Sequence, residues 1–150
     1  MPDTPDTPAT SSASVLGFDF GTRVIGVAVG NRLTGARALT TVGHGETPDW
    51  QRLDTLIREW RPAMLIVGLP LTLDGGEQAM TRAARAFGDA LGERYGIGIA
   101  LVDERLTTHE AGRRFAARRA AGSARRKHAA EIDAIAAEVI LENWLAIADA

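Results

Sequence analysis

Short apolar runs and helical stripes alternate along the chain. Val15 to Phe20 is apolar and β-leaning, and Gly21-Thr22 breaks it before a second such run, about Arg23 to Gly30. So tight a turn between two strands predicts an antiparallel hairpin. A third stretch, near Ala36 to Val42, follows the Leu33-Thr34-Gly35 turn and completes a three-stranded meander. Thr47-Pro48 then offers a cap and a proline suited to a first helical position. Trp50, Leu53, Leu56, Ile57 and Trp60 recur behind it at helical spacing until Pro62. Ala63 to Leu69 is continuously apolar, the pattern of a strand buried on both faces.

Gly75 to Tyr95 reads as a helix with Met80, Ala83, Ala84, Phe87 and Leu91 as its inner stripe, and Gly96 lies past its end. Ile97 to Val102 reads as another buried strand. Thr107-x-x-Glu110 is a capping box that opens a helix fading into the Gly122-Ser123 loop, and a last helix spans about Ala130 to Ile147. The order β-β-β-α-β-α-β-α-α predicts one α/β domain over residues 14–150. Its sheet is five-stranded and mixed, three antiparallel strands then two parallel ones, with helices on both faces. Residues 1–13, rich in Pro, Thr, Ser and Asp, read as a disordered tail. They have no basic start or apolar run, so no signal peptide is expected. No window approaches the roughly 18 apolar residues of a membrane span, and a cytoplasmic protein is expected.

Composition narrows the chemistry. There are no cysteines and only three histidines among 150 residues, which removes thiolate zinc sites and cysteine nucleophiles. A chain with many carboxylates and few imidazoles favours a hard ion, Mg²⁺ with Mn²⁺ as a substitute. Net charge is −2, yet seven of the seventeen cations fall between Ala111 and Ala130 with no acid among them. Arg125, Arg126 and Lys127 belong to this block. A solvated helix face is the ordinary reading of such a run; here the lack of balancing acids favours an anionic partner.

Three acids occupy unusual positions. Asp19 lies inside an apolar strand, where an isolated carboxylate is costly and calls for a partner. A neighbouring amide or Arg23 could be that partner. Glu104 lies just past the end of a late strand, at the edge where ligands collect in open α/β sheets. Asp103 and Glu104 alternate in direction, so one faces the site; Glu104 is preferred, with Asp103 as the fallback. Asp133 shares a stripe with Ala137, Ile140 and Trp144, a face otherwise built to bury. A wet acid at a helix start is the plainer alternative. Three acids drawn together would need a cation, and such a cluster suits metal-assisted phosphoryl transfer.

The segments LGFDFGTRVIGVAVG, LIVGLPLTLDG, VDERLTTHEA and IDAIAAEVILENWL together resemble the blocks of the YqgF family over about Val15 to Leu145. The resemblance implies an RNase H-like three-layer fold and a catalytic, metal-binding triad on Asp19, Glu104 and Asp133. It also implies a nuclease that matures the 5′ end of pre-16S ribosomal RNA. Resolution of Holliday junctions, or a module that binds nucleic acid or a transcription complex without cutting, are the alternatives. Thr22 and Arg23 in the first turn, Arg105, and the Arg125–Lys127 cluster are the candidate substrate contacts. Nucleic acid is thus the expected partner, pre-16S rRNA before branched DNA, with no membrane, for a monomer or weak dimer. Trp50, Trp60 and Trp144 read as packing residues rather than base-stacking platforms.

Overall fold

The computed structural model describes residues 13–72, 74–104, 113–114, 116–117 and 131–148. Five strands form one sheet: β1 (Val15–Phe20), β2 (Val24–Asn31), β3 (Gly35–Gly43), β4 (Met64–Leu69) and β5 (Gly98–Asp103). Their spatial order is β3-β2-β1-β4-β5. The first three are mutually antiparallel, and β4 and β5 add in parallel beside β1. Helix α1 (Trp50–Trp60) links β3 to β4, and α2 (Ala79–Tyr95) links β4 to β5. The described part of the chain ends with α3 (Glu131–Ala148). The expected mixed sheet is therefore present, three antiparallel strands and then two parallel.

Strand alternation sorts the side chains into two layers. Leu16, Phe18, Ile25, Val27, Leu65 and Val67 point to one face, where they pack with Leu53 and Leu56 of α1 and with Ala84, Phe87 and Leu91 of α2. Val15, Ala28, Ile66 and Val102 point to the other, against Ala137, Ile140, Leu141 and Leu145 of α3. The three tryptophans pack at the margins of these layers.

Glycines clear the track for α3. A Cβ on Gly17 would lie 3.0 Å from Leu141 Cβ, one on Gly68 2.4 Å from Ile140 Cδ1, and one on Gly26 1.9 Å from the Asp133 carbonyl oxygen. Three strands thus give up side chains so that a helix can approach their backbones. Gly26 is the register partner of Asp19. The same contact that seats α3 therefore brings Asp133 over the end of β1.

Several boundaries differ from those the sequence predicts. Helix α1 is capped by Asp49, whose side chain accepts from the Arg52 amide, and not by Thr47-Pro48. Pro48 instead forms a β-bridge with His44. Helix α2 starts at Ala79, because Thr72, Asp74 and Gly76 close a turn in which the Gly76 amide donates to Asp74 Oδ1 at 3.0 Å. Strand β5 is an edge strand and is half-exposed, so its apolar run does not mark burial on both faces. Leu101 is 40% exposed. The capping box at Thr107, the Gly122-Ser123 loop and the tail through residue 12 lie outside the described residues.

Candidate active site

Strand β1 carries Asp19 on the α3 side of the sheet, one position before the strand ends. Two strands away, Glu104 follows β5 directly, and its amide donates to the Leu69 carbonyl at the end of β4. That bond turns the Glu104 side chain inward, leaving it 7% exposed while Asp103 faces solvent. Gly68 gives it room: a Cβ there would stand 3.0 Å from Glu104 Oε1. The carboxyl groups of Asp19 and Glu104 hydrogen-bond to each other. Asp133 is close enough for its charge to act on Asp19. Among the described residues, however, no three acids or imidazoles close into a chelating cluster.

The electrostatics of this corner follow from burial. Desolvation, and next to it the Asp19 charge, push Glu104 up to about 9. Desolvation also raises Asp19, to about 6, with a smaller push from Asp133 and an opposing effect from the Glu104 hydrogen bond. Asp133 is raised by desolvation. Near neutral pH the pair shares a proton, with Glu104 the donor. A cation can take that proton's place, since oxygen donors with raised affinity for a positive charge are what a hard divalent ion needs.

A pH dependence follows. The folded protein holds protons that the unfolded chain releases near pH 4 to 5, so folding without metal is favoured at low pH. That stabilisation is lost as pH rises toward 9. In EDTA, the Tm should fall by several degrees between about pH 5 and pH 9. Glu104→Gln should flatten the slope, and Mg²⁺ should raise the Tm more at high pH than at low. A Glu104→Gln protein with the parental slope would show that other groups titrate.

The remaining candidates fall into two sets. Thr22 and Arg23 form the exposed β1–β2 turn, closed by the Gly21 amide donating to Val24 O at 3.1 Å. Arg23 is exposed, and no ion pair between it and Asp19 occurs among the described residues. Arg105, Arg125, Arg126 and Lys127 lie outside the described residues.

Two groups went unnoticed in the sequence. His44 donates from Nδ1 to the Gly21 carbonyl at 2.8 Å and packs on Phe20, with ring centroids 4.7 Å apart. It braces the turn that carries Thr22 and Arg23. Glu138 is a buried acid whose Oε1 accepts from the Ala38 amide at 2.9 Å, while Oε2 accepts from Arg114 at 2.7 Å. Arg114 also reaches Glu142 at 2.7 Å. A carboxylate in the apolar run IDAIAAEVIL was the available signal. This arginine of the basic block is thus committed to an internal ion pair and is not free for an anionic partner. Arg114→Ala should cost about 1–2 kcal/mol of stability, discounted because the arginine is partly exposed. Thermal melts check this.

A family model described as RuvX, Holliday junction resolvase, matches residues 13–147. The chain belongs to the RuvX family. That family is the one the YqgF resemblance indicated. RuvX relatives include a protein of Xanthomonas euvesicatoria pv. vesicatoria (strain 85-10), 51% identical over 138 residues, 91% of this chain and 89% of that one. Another, from Xylella fastidiosa (strain M23), is 54% identical over 134 residues, covering 88% and 86%. Both are named "Putative pre-16S rRNA nuclease". Among solved structures, Thermus thermophilus RuvC superposes with a TM-score of 0.50 at 16% identity, covering 91% of this chain and 96% of that one. The yeast mitochondrial Holliday junction resolvase Ydc2 gives 0.51 at 11% identity, covering 92% and 80%. The RuvX chain thus has the RNase H-like fold of RuvC-type resolvases. No described helix is long and apolar enough to cross a membrane.

Proposed function

We propose that this protein is a metal-dependent nuclease that hydrolyses phosphodiesters in the 5′ maturation of pre-16S ribosomal RNA, with Asp19, Glu104 and Asp133 holding Mg²⁺. The observation that carries the reading is the contact between two desolvated carboxyls, half-buried Asp19 and buried Glu104, on the face of the sheet that α3 brings Asp133 to meet. Like charges packed together are costly unless a proton or a cation lies between them. Their hard oxygen atoms suit Mg²⁺ or Mn²⁺.

When bound, the ion supplies Lewis-acid stabilisation of the phosphoryl oxygens and favours ionisation of the attacking water. The chain's own residues do the rest. Asp19 and Glu104 would hold it in place of the proton between them, and Glu104 is buried there away from bulk water. Asp133 adds negative charge from a separate element. The exposed Thr22 and Arg23 lie in the turn that directly follows the Asp19 strand, and a hydroxyl and a guanidinium suit phosphate oxygens. The relatives' names support ribosomal RNA as substrate.

Branched DNA is the second reading. The family description favours it, as does a Thermus thermophilus RuvC structure in complex with a Holliday junction substrate. Incubating precursor rRNA and a synthetic four-way junction with the protein, in Mg²⁺, Mn²⁺ or Ca²⁺, separates the two. Cleavage of the rRNA precursor at its 5′ side supports the first reading. Cleavage of the junction alone supports the second, and metal-independent binding without cleavage of either would overturn both.

A further inference from the structure

On the opposite face of β1 from the acid pair, an apolar groove of about 420 Å³ opens beside the β1–β2 turn. Phe20, Trp50 and Phe87 wall it, and Thr22 and His44 stand at its polar edge. Its emptiness has a local cause. Helix α2 turns Ala83, Ala86 and Ala90 toward it, and these side chains are too short to cover the aromatic rings. Phe20 meets Phe87 with centroids 4.8 Å apart, and Trp50 meets Phe87 at 6.1 Å. Trp50 therefore packs on the core and still borders open space.

We propose that this groove receives one unpaired nucleobase of the strand being cut. The inference rests on nucleic acid being the substrate. Continuity with the acid pair supports it: Asp19 and Phe20 are adjacent residues pointing to opposite faces of one strand end, and the Gly21–Arg23 turn is the bridge between them. A chain with a phosphate at the exposed Arg23 can place a neighbouring base against Phe20 on the groove side of that turn. Charge is also complementary, because Arg23 on the turn is exposed and no described carboxylate pairs with it. The groove's size falls at the low end of cavities that take small organic groups, roughly 300–1,000 Å³. An aromatic wall with a polar edge is the stacking platform that single-stranded nucleic acid uses, and it tolerates any base.

The test compares two ligands of equal length, a uridine oligoribonucleotide and the same ribose-phosphate chain without bases. Binding is measured by anisotropy with the metal-free protein, and cleavage in parallel with Mg²⁺. The parent should bind the base-bearing oligomer about tenfold more tightly. Ala86→Leu, a change at an exposed helical position, should fill the groove and bring that preference close to one. If Ala86→Leu fails to fold, Ala90→Leu fills the other end and should do the same. Cleavage or binding without any base preference, or a preference that survives both fillings, would overturn the groove's role and leave the nuclease reading standing. Failure to bind or cleave any nucleic acid would remove both. A change in oligomeric state on filling, with the preference intact, would show the groove to be a protein interface.

Discussion

Asp19→Asn should abolish turnover while leaving the protein folded. Asparagine keeps the shape and one acceptor oxygen but not the charge that a divalent ion needs. Even outer partners of a metal cost ten- to a hundredfold when removed, so loss of a direct ligand should cost more than about a hundredfold. Stability should move the other way. Asp19 is a desolvated acid whose charge opposes ionisation of Glu104, and neutralising it relieves that repulsion. In EDTA at pH 8, Asp19→Asn should melt no lower than the parent and should gain little from added Mg²⁺. Asp133→Asn should behave alike, more weakly. Retained cleavage by Asp19→Asn would remove this corner from the chemistry, and a large drop in its metal-free Tm would make Asp19 a structural partner.

Gly26→Ala should be the most damaging single methyl group in the fold. The added carbon would stand 1.9 Å from the Asp133 carbonyl oxygen and 2.3 Å from its carbon. Both are backbone atoms, so no rotamer change can relieve the overlap. Overpacking typically costs about 1–3 kcal/mol, and a rigid clash belongs at or above the top of that range. For a chain of this size that corresponds to a Tm loss on the order of 10 °C. The helix can escape only by lifting from β2, which carries Asp133 away from Asp19. Activity should therefore fall further than the folded fraction does. Gly35→Ala is the control in the same sheet: no atom lies within 4 Å of its added carbon, and its φ of +77° makes the cost one of backbone strain alone. A Gly26→Ala protein with parental melting and cleavage would mean that α3 sits higher than described.

The architecture was legible because each strand announces itself locally. Alternation in β1 and β2, a tight turn at Gly21-Thr22 and an unbroken apolar run in β4 are short-range signals. Exposure of β5 was not, because an edge strand and a central one can carry the same residues, and only the neighbour decides. The start of α2 was misplaced because the Thr72–Gly76 turn captures its own backbone groups. That competition depends on a side chain reaching two residues along the chain. At the site, Asp19 stood out as an acid in an apolar strand, and Glu104 through its strand-end position. The Glu138–Arg114 pair escaped notice because its partners lie 24 residues apart. No periodicity connects them. His44 was silent for the same reason: its role is a single bond to Gly21 O across the strand end.

The glycine track has a further consequence for when the enzyme becomes competent. Helix α3 is the last described element in chain order, yet it packs on β1 and β2, among the first to be made. A sheet on which α3 has not yet docked keeps Asp19 near the end of β1. It lacks the third acid, and a bare glycine furrow marks the gap. On the proposed reading, cleavage therefore waits on the docking of α3, and a change that lifts this helix from the glycines switches the site off.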